Sequence, residues 1–208
     1  MELSVEGVIA DVARRVAECR RCELWRTRTN PVVGEGSLKP KAMFIGEAPG
    51  RSEDLEGRPF VGAAGKLLTS LLQSVGLSRS DVYITNVLKC RPPGNRDPLP
   101  EEVEACTPFL AEQLKAMRPQ VIVTLGRFST SYVFSTAGLS FTSMAKVRGR
   151  VFKVELLGFK ASVLPTYHPA AALYYPKLQE SLAEDFRKLA QLLEGPREPR
   201  GVDLSLFM

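Results

Sequence analysis

Apolar residues recur along this chain at two different periods. Val5, Val8, Ile9, Val12 and Val16 fall at three- and four-residue steps, placing them on one face of a helix over about residues 5–18. The same period returns in Leu67, Leu68, Leu71, Leu72 and Val75, which predicts a helix from about 63 to 75, ended by Gly76. Another helix is predicted from Pro100 to about Met117, opened by acids in its first turn. Two more cover about 127–136 and 178–193. Between them lie unbroken apolar runs that are short and rich in β-formers: Ala42 to Gly46, Val82 to Asn86, Gln120 to Gly126, and Ala161 to Thr166. These read as buried strands, and Val147 to Leu157 reads as a further strand or hairpin. Strands alternating with helices predict a parallel sheet covered on both faces, in one domain over residues 1–195.

Three loops break this rhythm, and each follows a strand. They span about 46–62, the proline-rich segment after Asn86, and 167–177. In a parallel sheet the strands end on one edge, so all three loops can line a single pocket. The first loop is dense in glycine and proline, which set unusual backbone dihedrals and allow close approach. Such a pocket would hold the Asn86 amide, the flat face of Phe60, the imidazole of His168 (the one histidine) and the carboxylates of Glu47, Glu53 and Asp54. Together these suit a flat heterocycle with polar edges, and a nucleobase is the obvious candidate.

Composition narrows the setting. The chain has 208 residues and a formal net charge of +5, a mild bias toward polyanionic partners. No apolar run approaches a membrane span and the N-terminus has no signal-like core, so a cytosolic protein is expected. In that compartment cysteines are metal ligands or buried thiols rather than disulfides. Cys19 and Cys22 form a C-x-x-C pair, while Cys90 and Cys106 bracket the proline-rich loop and the start of its helix. Four thiolates suit zinc or a [4Fe-4S] cluster, and unrelated buried thiols remain a third reading.

Several motifs now match a known family in order. Gly-Glu-Ala-Pro-Gly at 46–50, Glu53-Asp54, Gly57 to Gly62, Ile84-Thr85-Asn86, Lys89 to Pro93 and His168-Pro169-Ala170 resemble the family 4 uracil-DNA glycosylases, iron–sulfur repair enzymes. The related family 5 enzymes lack a glutamate in the first motif, so Glu47 favours family 4. The resemblance implies a three-layer α/β/α sandwich with a four-stranded, mostly parallel sheet. It implies a DNA repair enzyme that flips uracil out of single- or double-stranded DNA and hydrolyses its N-glycosidic bond, leaving an abasic site. It further implies that Phe60 stacks on the base, Asn86 reads N3–H and O4, His168 bonds O2, and the backbone around Glu47, Ala48 and Pro49 lines the pocket. Glu47, then Glu53, is the expected carboxylate for water and for the oxocarbenium-like sugar. Cys19, Cys22, Cys90 and Cys106 would ligate a structural [4Fe-4S] cluster. Leu173 would fill the gap left by the flipped base, with Arg91, Arg148 and neighbouring Arg96, Lys146 and Arg150 on phosphates. A monomer is expected. The alternatives are a family 5-like glycosylase of wider specificity and a non-catalytic iron–sulfur protein that binds nucleic acid.

The tail, residues 196–208, lies outside this core. Leu204 stands three positions before Phe207-Met208, a spacing that resembles sliding-clamp binding peptides, although Gly201 replaces their usual glutamine.

Overall fold

In the computed structural model, which describes residues 4–194, a six-stranded mixed sheet is sandwiched between two helical layers. Its centre is four parallel strands in the order β3 (Tyr83–Asn86), β2 (Met43–Gly46), β4 (Val121–Leu125) and β6 (Phe159–Thr166). Two antiparallel strands flank them: β1 (Glu35–Gly36) beside β3, and β5 (Phe152–Leu156) beside β6. The four-stranded sheet expected from the sequence is thus the parallel core of a wider one. The two-residue β1 is too short to show any periodicity, and β5, with only one face against the protein, alternates in burial.

Alternation along the central strands supplies both cores. Met43, Ile45, Tyr83 and Ile122 point into one layer, with α1 (Val5–Ala17), α4 (Pro100–Met117) and α5 (Arg127–Thr136). Ala42, Phe44, Ile84 and Val123 point into the other, with α3 (Ala63–Ser74), α7 (Pro169–Tyr174) and α8 (Lys177–Glu194). Short helices α2 (Arg51–Glu56) and α6 (Met144–Val147) complete the set among the described residues. Both α2 and α7 occupy segments that read as loops, because six residues make less than two turns and carry no helical period. No helix among the described residues is long and apolar enough to cross a membrane.

The connections fix where a ligand can sit. From β2 the chain passes through α3 on one face to β3, then through α4 on the opposite face to β4 on the other side of β2. The strand order reverses at β2, so a crevice opens beyond its carboxyl end. That end is Gly46, paired with Asn86.

Candidate functional site

A cavity of about 360 Å³ occupies this crevice. Its wall includes Glu47, Ala48, Pro49 and Glu53 from the loop after β2, Phe60 and Ala64 before and on α3, Asn86 from β3, and His168 with Ala170 and Ala171 after β6. The three loops that the alternation placed on one sheet edge do meet there. Pro92, Asn95 and Arg96 of the proline-rich loop close a further side. Gly46 makes the floor possible: a Cβ there would stand 2.3 Å from Asn86 Oδ1 and 2.6 Å from Phe60 Cζ. Glycine lets the amide and the ring edge reach the same point.

Phe60 sits at φ +52°, a left-handed conformation that costs a bulky residue about 1–3 kcal/mol. Three features hold it. Glu53 Oε1 accepts hydrogen bonds from the backbone N–H of Val61 and of Gly62, both at 2.9 Å. Arg79, itself paired with Glu35, donates to the carbonyls of Pro59 at 2.7 Å and Phe60 at 3.0 Å. Gly65 lies so close that a Cβ would come within 1.9 Å of the Phe60 carbonyl oxygen. Glu53, one of the two carboxylates expected to handle water, is therefore committed to shaping the loop. The Phe60 and His168 rings are stacked, with centroids 5.5 Å apart.

Asn86 is buried, and its Oδ1 is the one buried side-chain nitrogen or oxygen among the described residues with no hydrogen-bond partner. An unpartnered buried acceptor costs about 1–3 kcal/mol, which a ligand donor would recover. The imidazole of His168 is set by its own turn: Nδ1 accepts from the Ala170 N–H at 3.1 Å, so the neutral ring carries its proton on Nε2. Burial pushes its pKa down to about 4, with Glu53 pulling weakly upward, so the ring is neutral at physiological pH. Burial also raises Glu47 to about 7; Asp97 adds to this and Arg127 opposes it. The pocket thus offers an acceptor, a neutral donor, an apolar face and a carboxyl that changes charge near neutrality.

A family model described as the uracil DNA glycosylase superfamily matches residues 33–193. A type-4 uracil-DNA glycosylase of Archaeoglobus fulgidus is 55% identical over 189 residues, covering 91% of this chain and 94% of that protein. Its counterpart from Saccharolobus solfataricus is 54% identical over 183 residues, or 88% of this chain and 85% of the relative. For the Thermotoga maritima protein the identity is 45% over 191 residues, 91% and 96% of the two chains. The chain belongs to the type-4 uracil-DNA glycosylases. Cys19 and Cys22 lie N-terminal to the segment that the superfamily model covers, on the turn that follows α1.

In this type-4 chain all four cysteines are free of disulfides and line one second pocket, between α1, the loop after β3 and α4. Burial raises the Cys22 and Cys90 thiols and pushes Cys106 up to about 12. Thiols so raised keep their protons unless a cation displaces them. Two donors already face the sulfurs: Arg28 Nη1 stands 3.1 Å from Cys90 Sγ, and the Lys89 N–H is 3.2 Å from Cys106 Sγ. Among the described residues no group of three or more His, Cys, Asp or Glu is gathered tightly enough for a single metal ion; the thiols ring a shared space.

The expected DNA-facing residues divide. Leu173 is 44% exposed on α7, with Tyr174 at 80% and Tyr175 at 67%, an apolar projection beside the pocket. Arg91 is partly exposed and donates to Asn95 Oδ1 at 2.7 Å. Arg148 has other commitments: it pairs with Glu184 at 3.1 Å and buried Asp185 at 2.9 Å and donates to the Ser181 carbonyl, bracing α8. Asn95, at φ +56° after Gly94, is a wall residue that sequence reasoning missed; its proline- and glycine-rich surroundings were the available signal.

The Glu47 shift has a measurable consequence. The folded chain holds this proton up to about pH 7, whereas an ordinary glutamate releases it near 4.5. The folded state therefore binds more protons across that window, and the contribution of Glu47 to stability falls as pH rises from about 4.5 to 7. Glu47→Gln keeps the shape without the charge. It is expected to melt on the order of a few °C above wild type at pH 8 and to lose that advantage at pH 4. Equal differences at both pH values would show that the carboxyl is not desolvated.

Proposed function

We propose that this chain releases uracil from DNA by hydrolysing the N-glycosidic bond, with the base flipped into the cavity beyond β2. The observation that carries this is the unpartnered Oδ1 of Asn86, a residue that lines the same cavity as a histidine locked as an Nε2–H donor. Uracil presents a donor at N3 between two carbonyl oxygens. Asn86 Oδ1 accepts from N3–H, and the amide nitrogen donates to O4. Cytosine has an acceptor at N3, which would leave a buried clash of lone pairs in place of a bond. Phe60 supplies the stacking face, and Ala48 and Pro49 close the wall at Glu47.

As the bond from C1′ to N1 breaks, its electron pair goes to uracil and the sugar becomes cationic. The neutral His168 donates to O2 of the departing anion, which strengthens as charge develops there. Glu47, ionised above about pH 7, stabilises the cationic sugar and orients the water whose oxygen joins C1′. That water gives up one proton to the carboxylate or to solvent. Glu53 acts one step back by holding the Phe60 loop. Leu173 fills the vacated stack, and Arg91 meets phosphate.

The four cysteines fit a [4Fe-4S] cluster by donor type, by their common pocket and by the two N–H groups aimed at sulfur. When bound, such a cluster cross-links α1, the loop after β3 and α4, and the hydrolysis needs no electron from it. The tail motif at Leu204, Phe207 and Met208, which falls outside the described residues, supports binding to a sliding clamp through its spacing alone.

Three measurements test these readings. Wild type should release free base from a uracil-containing oligonucleotide and leave hypoxanthine and thymine largely intact. Asn86→Ala and His168→Ala should each lose on the order of 100-fold or more in rate. DNA binding without base release would overturn the hydrolytic reading. Purified protein should contain iron and acid-labile sulfide in equal amounts, lost together in Cys106→Ala; stoichiometric zinc without sulfide would exclude the cluster. Deleting residues 201–208 should abolish capture by an immobilised sliding clamp while base release stays intact, and unchanged capture would sink the clamp motif.

A further inference from the structure

Lys89 is fully buried, and each hydrogen of its ammonium group has an acceptor. Nζ donates to Thr85 Oγ1 at 2.7 Å, to the Asn86 carbonyl at 2.8 Å and to Gln113 Oε1 at 2.8 Å. Those acceptors are themselves held. Thr85 donates to the Val33 carbonyl at 2.7 Å, and Gln113 Nε2 donates to the same carbonyl at 3.0 Å and to the Tyr83 hydroxyl at 3.1 Å. A methionine of similar length would fill the same space, so packing alone does not require a charge here. Burying an ammonium costs several kcal/mol unless its bonds are complete. The three bonds must be explained by what they hold.

What they hold is the last residue of β3. The Asn86 side chain has no bond on Oδ1, so its aim depends on its backbone. Register with Gly46 fixes one side of that backbone, and the Lys89 ammonium grips the carbonyl. The same lysine precedes Cys90, its N–H faces Cys106 Sγ, and Gln113 lies two turns beyond Cys106 on α4. One side chain thus joins the base-reading amide to the segments that carry two of the four thiols.

We infer that Lys89 is a positioning residue for base recognition, holding the end of β3 so that the Asn86 amide is aimed before a base arrives. This rests on the proposed uracil-releasing activity. Lys89 touches no substrate and acts through Asn86. Its loss should therefore matter only while Asn86 is present to be aimed.

The test is a set of double-mutant cycles on the full chain, read by single-turnover uracil release, with melting temperature and iron content measured on every variant. Lys89→Met is expected to slow release by at least about tenfold in the wild-type background and to narrow the preference for uracil over cytosine. In the Asn86→Ala background it should change the rate less than about twofold, while with His168→Ala its effect should persist in full. Equal losses in all three backgrounds, or a rate that simply follows iron content, would overturn the inference. If Lys89→Met does not fold, Gln113→Met removes one acceptor and leaves lysine and asparagine in place. It should show the same pattern at about threefold, and additivity there overturns the inference equally. Wild type that releases no uracil would instead mean that the activity itself was misassigned.

Discussion

Parallel pairing of β3, β2, β4 and β6 is the constraint on which the rest of this molecule depends. Parallel strands all end on the same edge, so the loops that leave β2, β3 and β6 must start along one edge. Because the sheet is buried on both faces, the strands are nearly all apolar and carry little chemistry until their last residues. Asn86 is such a last residue, and His168 stands two positions beyond the end of β6. The strand order reverses at β2, which leaves room between neighbouring loops for a base-sized ligand. Chemistry gathers at this edge because the sheet leaves it no other place.

Positioning within the pocket then relies on groups that never touch a ligand. Phe60 is held in an unfavourable backbone conformation by a carboxylate, a guanidinium and the absence of a Cβ at Gly65. Asn86 is held by strand register and by a buried ammonium. His168 is oriented by the first turn of the short helix it caps. In each case a side chain that would be mobile on an open loop is fixed by a neighbour whose own bonds are complete. A rigid acceptor and donor lose little freedom when a base arrives, which favours discrimination by hydrogen-bond pattern.

Long-period features were legible in the sequence, and short ones were not. The helix expected over 5–18 is Val5–Ala17, and that expected over 63–75 is Ala63–Ser74. Each spans several turns and buries a continuous stripe, so tertiary packing and local pattern agree. Residues 51–56 and 169–174 read as loop because proline and glycine beside them outweigh fewer than two turns of helix. The site divides in the same way. Residue types at and beyond the strand ends marked Glu47, Phe60, Asn86 and His168, whereas Lys89 entered only as part of the motif from Lys89 to Pro93. Only the fold shows that it points inward to meet Thr85 and Gln113, the latter 24 positions away. Arg148 shows the converse: the family resemblance suggested phosphate, but Asp185 and Glu184 lie within reach on α8.

Burial acts on the two titrating groups of the pocket in opposite senses, and that opposition sets the window in which both are useful. Desolvation disfavours whichever form is charged, so it lifts Glu47 to about 7 and lowers His168 to about 4. Between these values both groups are neutral, and the pocket holds no fixed countercharge from either. Above about 7 the carboxylate appears while the imidazole stays neutral, so the pocket carries one negative group and one uncharged donor. The carboxylate that acts on the imidazole is Glu53, which pulls it only weakly toward the charged form. The dry walls that lower the pKa of His168 are the same walls that raise that of Glu47.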